Sequence, residues 1–162
     1  MKKIVILLFS VFLAACSTTS KVSKPRETTV ANKSIKGEWT LKSISYNQSG
    51  KFDVTLLNDT SKECFEGSVW KFVPNNFRGT YTITQNGCAT GERYFIFVVQ
   101  EIDKQSGYYD FLLKPTDQKY KSETNKGVRL NLSYLSDDRM VWKQSLQVDG
   151  APFVISMEFT KN

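Results

Sequence analysis

The chain has 162 residues, the size of one ordinary domain, and its 40% hydrophobic and 23% charged residues are typical of a globular protein. It contains no histidine, which excludes histidine-based catalytic triads and most zinc sites. The net charge of +6 is confined to the first 36 residues, because residues 37–162 carry fifteen basic and fifteen acidic side chains. The domain is therefore neutral, and because its basic residues are not in excess, we expect no binding to nucleic acid.

The chain begins with a secretory pattern, in which two lysines precede the apolar run Ile4–Ala15. Twelve helical residues span about 18 Å, less than the roughly 30 Å hydrocarbon core of a bilayer, so residues 1–15 are predicted to be a signal peptide. The sequence Leu-Ala-Ala-Cys that ends at Cys16 resembles the lipobox of bacterial lipoproteins. This resemblance implies cleavage before Cys16 and acylation of its thiol, which would anchor the protein in a membrane. The alternative is an ordinary signal peptide whose cleavage leaves a free thiol.

Residues 16–36 are rich in Ser, Thr and Lys and are predicted to form a flexible basic tether. Ser17 follows the cysteine, and the absence of Asp at that position resembles lipoproteins that are passed to the outer membrane. The expected location is therefore the bacterial cell envelope, on the outer membrane and facing the periplasm.

Two further cysteines, Cys64 and Cys88, lie in the exported part of the chain. An oxidising compartment favours a structural disulfide between them, and two free thiols are the alternative. The bridge would close a loop of 25 residues, to which the chain-entropy model assigns about 3.5 kcal/mol of stabilisation.

From residue 37 onward the hydrophobic period is two, which predicts β-strands separated by turns. In chain order the predicted strands are Trp39–Tyr46, Val69–Val73, Phe77–Thr84, Tyr94–Glu101, Tyr108–Leu113, Val128–Tyr134, Met140–Gln147 and Phe153–Thr160. The apolar face changes parity within the first strand, which predicts a β-bulge there. The segment Phe52–Gly67 does not alternate and is predicted to be a short helical lid, tied by Cys64 to the loop at Cys88.

Eight sequential antiparallel strands predict an all-β fold that closes into an up-and-down barrel over residues 37–162, with a short helix after the first strand, since closure removes exposed edges. The residues Gly37 and Trp39 look like the Gly-x-Trp motif that opens lipocalins. Together with the lipobox and the cysteine pair, they make the chain resemble the lipocalin-like lipoproteins of bacteria. The resemblance implies that Trp39 seals one end of the barrel beneath a cationic side chain, for which Arg129 and Arg139 are the candidates.

An eight-stranded barrel is either filled by its own side chains or holds one small ligand. The side chains predicted to point inward are mostly large, and none is Lys or Arg. Those expected to line a ligand are Trp70, Phe72, Tyr81, Tyr109, Phe111, Tyr134, Trp142 and Gln144. Such a wall suits a neutral, apolar molecule, because burying a carboxylate without a cation is costly.

The sequence thus predicts a non-catalytic, lipid-anchored envelope protein that binds or transports a small hydrophobic molecule. The alternative is a solid-barrel scaffold or inhibitor module that binds another envelope protein through its loops. No nucleophile and base can be named, so no enzyme activity and no cofactor are expected. Glu63 and Glu66 are too few carboxylates for a calcium site, so no metal is expected either. The expected partners are the membrane and a small hydrophobic ligand or, in the alternative, another envelope protein, and the chain is expected to be a monomer.

Overall fold

The computed structural model describes residues 35–103, 105 and 108–162. The predicted signal peptide and residues 16–34 of the tether, including Cys16, lie outside the described residues. In the described part of the chain, no helix has the length and apolarity needed to cross a membrane.

Besides a 3₁₀ turn at Pro74–Asn76, the described part of the chain contains ten strands and one short α-helix. They are β1 (Gly37–Tyr46), β2 (Thr55–Leu56), β3 (Thr60–Ser61), α1 (Lys62–Phe65), β4 (Val69–Val73), β5 (Arg78–Ile83), β6 (Gly91–Ile102), β7 (Tyr109–Thr116), β8 (Val128–Leu135), β9 (Arg139–Val148) and β10 (Ala151–Lys161). Eight of these strands form a closed antiparallel barrel in the order β1-β10-β9-β8-β7-β6-β5-β4, and β4 pairs back with β1. The predicted all-β fold, its barrel closure and the short helix after the first strand are therefore confirmed.

The antiparallel order gives the barrel two distinct ends. At the tether end lie residues 35 and 36, the C-terminus, and the β4–β5, β6–β7 and β8–β9 connections. At the lid end lie the β5–β6, β7–β8 and β9–β10 connections and the segment between β1 and β4, called the lid, which spans residues 47–68. The lid contains a small β2–β3 hairpin that the sequence did not predict, followed by α1.

The bulge predicted in β1 is confirmed. The register of β1 with β10 shifts between Leu41 and Ser43, so that Leu41 and Ile44 are both buried although they lie three residues apart. An extra residue in one strand changes which side chains face the core beyond it. The bulge therefore lets the whole of β1 present apolar side chains to the barrel.

A second bulge, in β8, was not predicted and corrects one of the inward positions. The register of β8 with β9 shifts between Leu132 and Tyr134, which places Tyr134 opposite Val141 rather than on the inner face. The Tyr134 side chain is 40% exposed, and the guanidinium of Arg139 lies 5.1 Å from the centre of its ring. The prediction that Tyr134 lines the interior is therefore wrong.

Close packing explains why position 79 in β5 is a glycine. A Cβ atom at this position would lie 2.6 Å from the backbone oxygen of Lys71 on β4 and would overlap the ring of Phe95 on β6. The absent side chain therefore leaves the space in which the Phe95 ring packs against the wall of the barrel.

Candidate functional site

Aromatic rings from opposite walls meet inside the barrel. The ring centre of Trp70 on β4 lies 5.5 Å from that of Trp142 on β9, and these strands are separated in the sheet by β1 and β10. Trp142 also contacts Phe72 at 5.4 Å and Phe111 at 5.0 Å. Such distances between ring centres are those of directly packed aromatic side chains. The rings therefore occupy the lumen at this level.

The tether end of the lumen is closed by Trp39. Its side chain is fully buried, and its indole Nε1 donates a hydrogen bond to the backbone oxygen of Ile35 at 2.9 Å. The ammonium nitrogen of Lys161 lies 5.1 Å from the centre of the Trp39 ring, because Lys161 is the cross-strand partner of Trp39 in β10. Arg129 and Arg139 instead pair with carboxylates of neighbouring strands. The prediction that one of these two arginines covers Trp39 is therefore wrong.

The lid end is closed by the lid itself. The predicted disulfide between Cys64 and Cys88 is confirmed, with 5.7 Å between the two Cα atoms, and it ties α1 to the β5–β6 loop. The next residue, Phe65, is buried, and its ring centre lies 6.0 Å from that of Trp70 and 5.4 Å from that of Tyr81. The lid therefore extends the aromatic core through the mouth of the barrel.

A polar cluster at the rim fixes the lid further. The Tyr81 hydroxyl donates a hydrogen bond to Asp59 Oδ2 at 2.8 Å, and Arg93 Nε donates to the same oxygen at 3.2 Å. Burial, followed by the hydrogen bond and the charge of Asp59, holds the pKa of Tyr81 well above its usual value. Tyr81 was predicted to line a ligand, but its polar atom binds the lid. This role of Asp59 and Arg93 was not predicted, because Asp59 fits a helix cap equally well.

Ser68 joins the lid to the barrel wall from inside. Its hydroxyl donates a hydrogen bond to the backbone oxygen of Phe65 at 2.6 Å and accepts one from Trp70 Nε1 at 2.8 Å. Ser68 is fully buried, so both bonds form without competing water. The position of the Trp70 ring is therefore coupled to the position of the lid.

Two polar atoms in the lumen have no hydrogen-bond partner in the described part of the chain. They are the Tyr109 hydroxyl oxygen and Trp142 Nε1, and both side chains pack on the ring of Phe111. Burial raises the pKa of Tyr109 to about 12, so the hydroxyl is protonated at neutral pH and can donate. An unsatisfied buried polar group costs about 1–3 kcal/mol, so a small molecule that accepts hydrogen bonds from either atom would stabilise the interior.

Most of the side chains predicted to line a ligand lie in one core. Trp70, Phe72, Tyr81, Tyr109, Phe111 and Trp142 are all buried in the shared core. Gln144 on β9 is half-buried and lies opposite Ile155, towards the lid end. The structure thus brings six of the eight predicted residues together.

The surface of the lid carries an open cleft of about 340 Å³. Its walls combine aromatic, aliphatic, basic and acidic side chains, namely Tyr46, Lys51, Phe52, Asp53, Val54, Ser61, Lys62 and Glu63. The Tyr46 and Phe52 rings pack on each other and on Phe153, which fixes the apolar side of the cleft. No group of three or more His, Cys, Asp or Glu side chains among the described residues is arranged to hold a metal ion.

Comparison with known proteins finds similarity to solved structures. No family model and no curated protein sequence matches the chain. A solved lipocalin-like protein from Bacteroides uniformis is similar over 80% of this chain and 99% of its own, with 9% sequence identity and a TM-score of 0.47. The barrel itself, eight antiparallel strands closed in chain order with a buried tryptophan at the start of β1, has lipocalin-like architecture.

Proposed function

We propose that the protein is a lipid-anchored, non-catalytic binding module of the bacterial envelope, with a barrel filled by its own side chains and a protein partner bound outside it. The observation that carries the proposal is the contact between Trp70 and Trp142 across the lumen. A ligand site in a protein of this kind needs about 300 Å³ or more of enclosed space. Directly packed rings leave no such space between them, so the second of the two functions predicted from the sequence is favoured.

The closed lid supports the same proposal. A ligand entering at the lid end would have to displace Phe65 from the rings of Trp70 and Tyr81. The Cys64–Cys88 disulfide and the hydrogen bond from Tyr81 to Asp59 oppose that movement. A carrier that must load and unload needs a mouth that opens easily, whereas a binding module benefits from a rigid one.

The arrangement of the two ends suggests where a partner binds. The tether joins the barrel beside Trp39, at the tether end, so the opposite lid end is the one farther from the anchor. This end carries the cleft formed with Tyr46 and Phe52. Aromatic side chains are enriched at the centre of protein-binding surfaces, and polar side chains form the rim around them. We therefore place the partner surface on the lid rather than in the lumen.

A titration with the uncharged lipophilic dye Nile red tests the filled lumen. With residues 17–162 exported without lipid, so that no detergent competes for the dye, we expect no saturable binding. Trp142→Ala should instead gain saturable binding of benzene, because it removes a ring from the centre of the packed cluster and leaves an apolar cavity that is large enough for benzene but not for the dye. Dye fluorescence measures the unmodified protein, and titration calorimetry with benzene measures both proteins.

The control for these titrations is Lys143→Ala, which removes an exposed side chain next to Trp142 and should leave both the dye and benzene unbound. Phe159→Ala, whose ring packs 4.6 Å from Trp142, gives a smaller cavity if Trp142→Ala does not fold. Saturable binding by the unmodified protein that is lost in Trp142→Ala would contradict the filled lumen.

That contrary result would favour the second candidate function, transport of a small hydrophobic molecule. The unpaired Tyr109 hydroxyl and Trp142 Nε1 support this candidate, because they could donate hydrogen bonds to a ligand in the lumen. The ligand would be neutral, since no basic side chain is buried in the described core.

Substitution of Cys16 tests the proposed lipid anchor. We expect Cys16→Ala to abolish incorporation of radiolabelled palmitate and to shift the protein from the membrane fraction to the soluble fraction, because the acyl chains supply the attachment. Ser17→Ala, one residue away, should keep both the label and the membrane location. A wild-type chain that takes up no palmitate would contradict the proposed anchor.

A further inference from the structure

Exposed apolar side chains gather at one corner of the tether end. Val73, the last residue of β4, is 37% exposed, and Phe77, which follows the Pro74–Asn76 turn, is 44% exposed. Val98 on β6 is 43% exposed, and its neighbour Phe97 donates a backbone hydrogen bond to Phe77 O at 2.9 Å. We call Val73, Phe77 and Val98 the apolar corner.

The backbone at Phe77 is unusual for a residue of its size. Its φ of 52° and ψ of 40° lie in the left-handed region, where a bulky side chain is strained and glycine or asparagine is the usual occupant. The Phe77 ring packs against Phe97 with 5.9 Å between the ring centres, but much of the side chain stays exposed. The turn alone would favour a small residue here, so the exposed ring points to a contact outside the barrel.

The tether leaves the barrel beside this corner. Gly37, the first residue of β1, is the cross-strand partner of Phe72, which precedes Val73. Residues 17–34 connect Cys16 to the described chain, and a flexible chain of that length has a root-mean-square end-to-end distance of about 23 Å. The proposed anchor at Cys16 therefore holds a lipid surface within reach of the apolar corner.

The charges at the tether exit suit an anionic lipid surface. Residues 16–36 carry five basic side chains and one acidic side chain, and basic clusters next to a membrane anchor are attracted to anionic headgroups. On the barrel, Arg78 is exposed opposite Val73. Glu38 lies close to the exit in the chain but is paired with Lys71 at 3.6 Å. Basic charge therefore adjoins the apolar corner.

Other acidic side chains of the tether end lie further round the barrel. Asp137 and Asp138 are exposed in the β8–β9 connection, and two strands separate β8 and β9 from β4 and β5 on either side. Asp103 lies in the β6–β7 connection, where its side chain accepts a hydrogen bond from Gln105 N at 2.8 Å. A surface that meets the apolar corner is therefore on the opposite side of the barrel from Asp137 and Asp138.

We propose that the apolar corner lies on the lipid leaflet that holds the acylated Cys16, with the Phe77 ring at the level of the upper acyl chains. This inference rests on the proposed lipid anchor and adds a second contact with the same membrane. The Arg78 guanidinium lies 4.6 Å from the ring centre of Tyr120, in the β7–β8 connection. It therefore points towards the lid end, which is the headgroup side of such a contact, as a long basic side chain does at a membrane surface.

Fluorescence quenching by brominated lipid tests the contact in the full lipidated chain. All three native tryptophans are buried, so Phe77→Trp adds the exposed indole. In vesicles of phosphatidylethanolamine and phosphatidylglycerol with brominated acyl chains, we expect the emission added by Phe77→Trp to be quenched about fivefold more than that added by Val148→Trp. Val148 is an exposed apolar residue of the lid end. Asp137→Trp, across the tether end, should behave like Val148→Trp.

Removing the ring gives a second test in residues 17–162 exported without lipid, which contain the whole barrel. Asparagine tolerates the left-handed region, so Phe77→Asn keeps the turn. We expect it to lower the partition coefficient onto the same vesicles without bromine by about tenfold, because the buried apolar surface is lost. Val148→Asn should leave the coefficient unchanged. Vesicle sedimentation measures binding, and circular dichroism checks that each variant is folded.

The outcomes separate this contact from the anchor. A chain that incorporates palmitate, but in which Phe77→Trp is quenched no more than Val148→Trp, would overturn the contact and leave the anchor standing. A chain that incorporates no palmitate would overturn both. Equal partition of the unmodified and Phe77→Asn chains would also reject the contact. So would a Phe77→Trp indole that is shielded from acrylamide but not quenched by brominated lipid, because a protein would then cover the corner.

Discussion

Replacing Trp70 with alanine is expected to lower the free energy of unfolding by about 4 kcal/mol, in the middle of the range for truncating a buried aromatic side chain. The Trp70 ring lies at the centre of the core. It packs against Phe65 from the lid, against neighbouring and opposite walls of the barrel, and against the rings of Phe72, Tyr81, Phe95, Trp142 and Phe159. Its removal therefore leaves a cavity that no single neighbour can fill.

Trp70→Phe is the matched variant for this prediction. It keeps an aromatic ring in the core but removes the indole nitrogen that donates to Ser68, and we expect it to lose about 1–2 kcal/mol. Urea unfolding followed by far-ultraviolet circular dichroism measures both variants, since the remaining tryptophans complicate fluorescence. A loss below about 1.5 kcal/mol for Trp70→Ala would contradict a tightly packed lumen, because a ring lining a hollow barrel leaves little new cavity.

Removing the disulfide is expected to have the second largest effect. The double substitution of Cys64 and Cys88 by serine should lower the free energy of unfolding by about 3 kcal/mol, because the unfolded chain regains the freedom of the loop that the bridge closes. The lid should also become mobile, since its covalent link to the β5–β6 loop is lost. Urea unfolding measures the first effect, and hydrogen exchange of the lid amides measures the second.

Wild-type protein in reducing buffer serves as the control and should match the double serine variant. Tyr81→Phe, which removes only the hydrogen bond to Asp59, should lose about 1 kcal/mol and leave the lid attached. Unchanged unfolding midpoints after complete reduction would show that the bridge does not hold the lid.

The strands and the barrel could be predicted because their signal lies within each strand. Alternation of apolar and polar residues marks a half-buried strand, and a change of parity inside β1, between Leu41 and Ile44, revealed its bulge. The bulge at Ser133 produces no change of parity in the sequence, because Tyr134 continues the apolar alternation of β8. The outward position of the Tyr134 side chain can be recognised only from the register of β8 with β9.

Contacts between distant segments could not be predicted. The cation over Trp39 is Lys161 because these two residues are cross-strand partners, and the β1–β10 register cannot be read from either strand alone. Asp59 binds Tyr81 across the mouth of the barrel, a contact set by how the lid folds back. The sequence likewise identified large inward side chains, but whether their rings meet depends on how the barrel closes.

Diffraction from crystals held under xenon pressure shows whether the lumen is filled. Xenon enters dry apolar cavities, including engineered ones of about 150 Å³. We predict no xenon peak among the rings of Trp70, Phe111 and Trp142 in the unmodified protein, and a peak at the vacated position in Trp142→Ala. An ordered xenon atom inside the unmodified barrel would contradict the filled lumen and would identify a cavity available to a ligand.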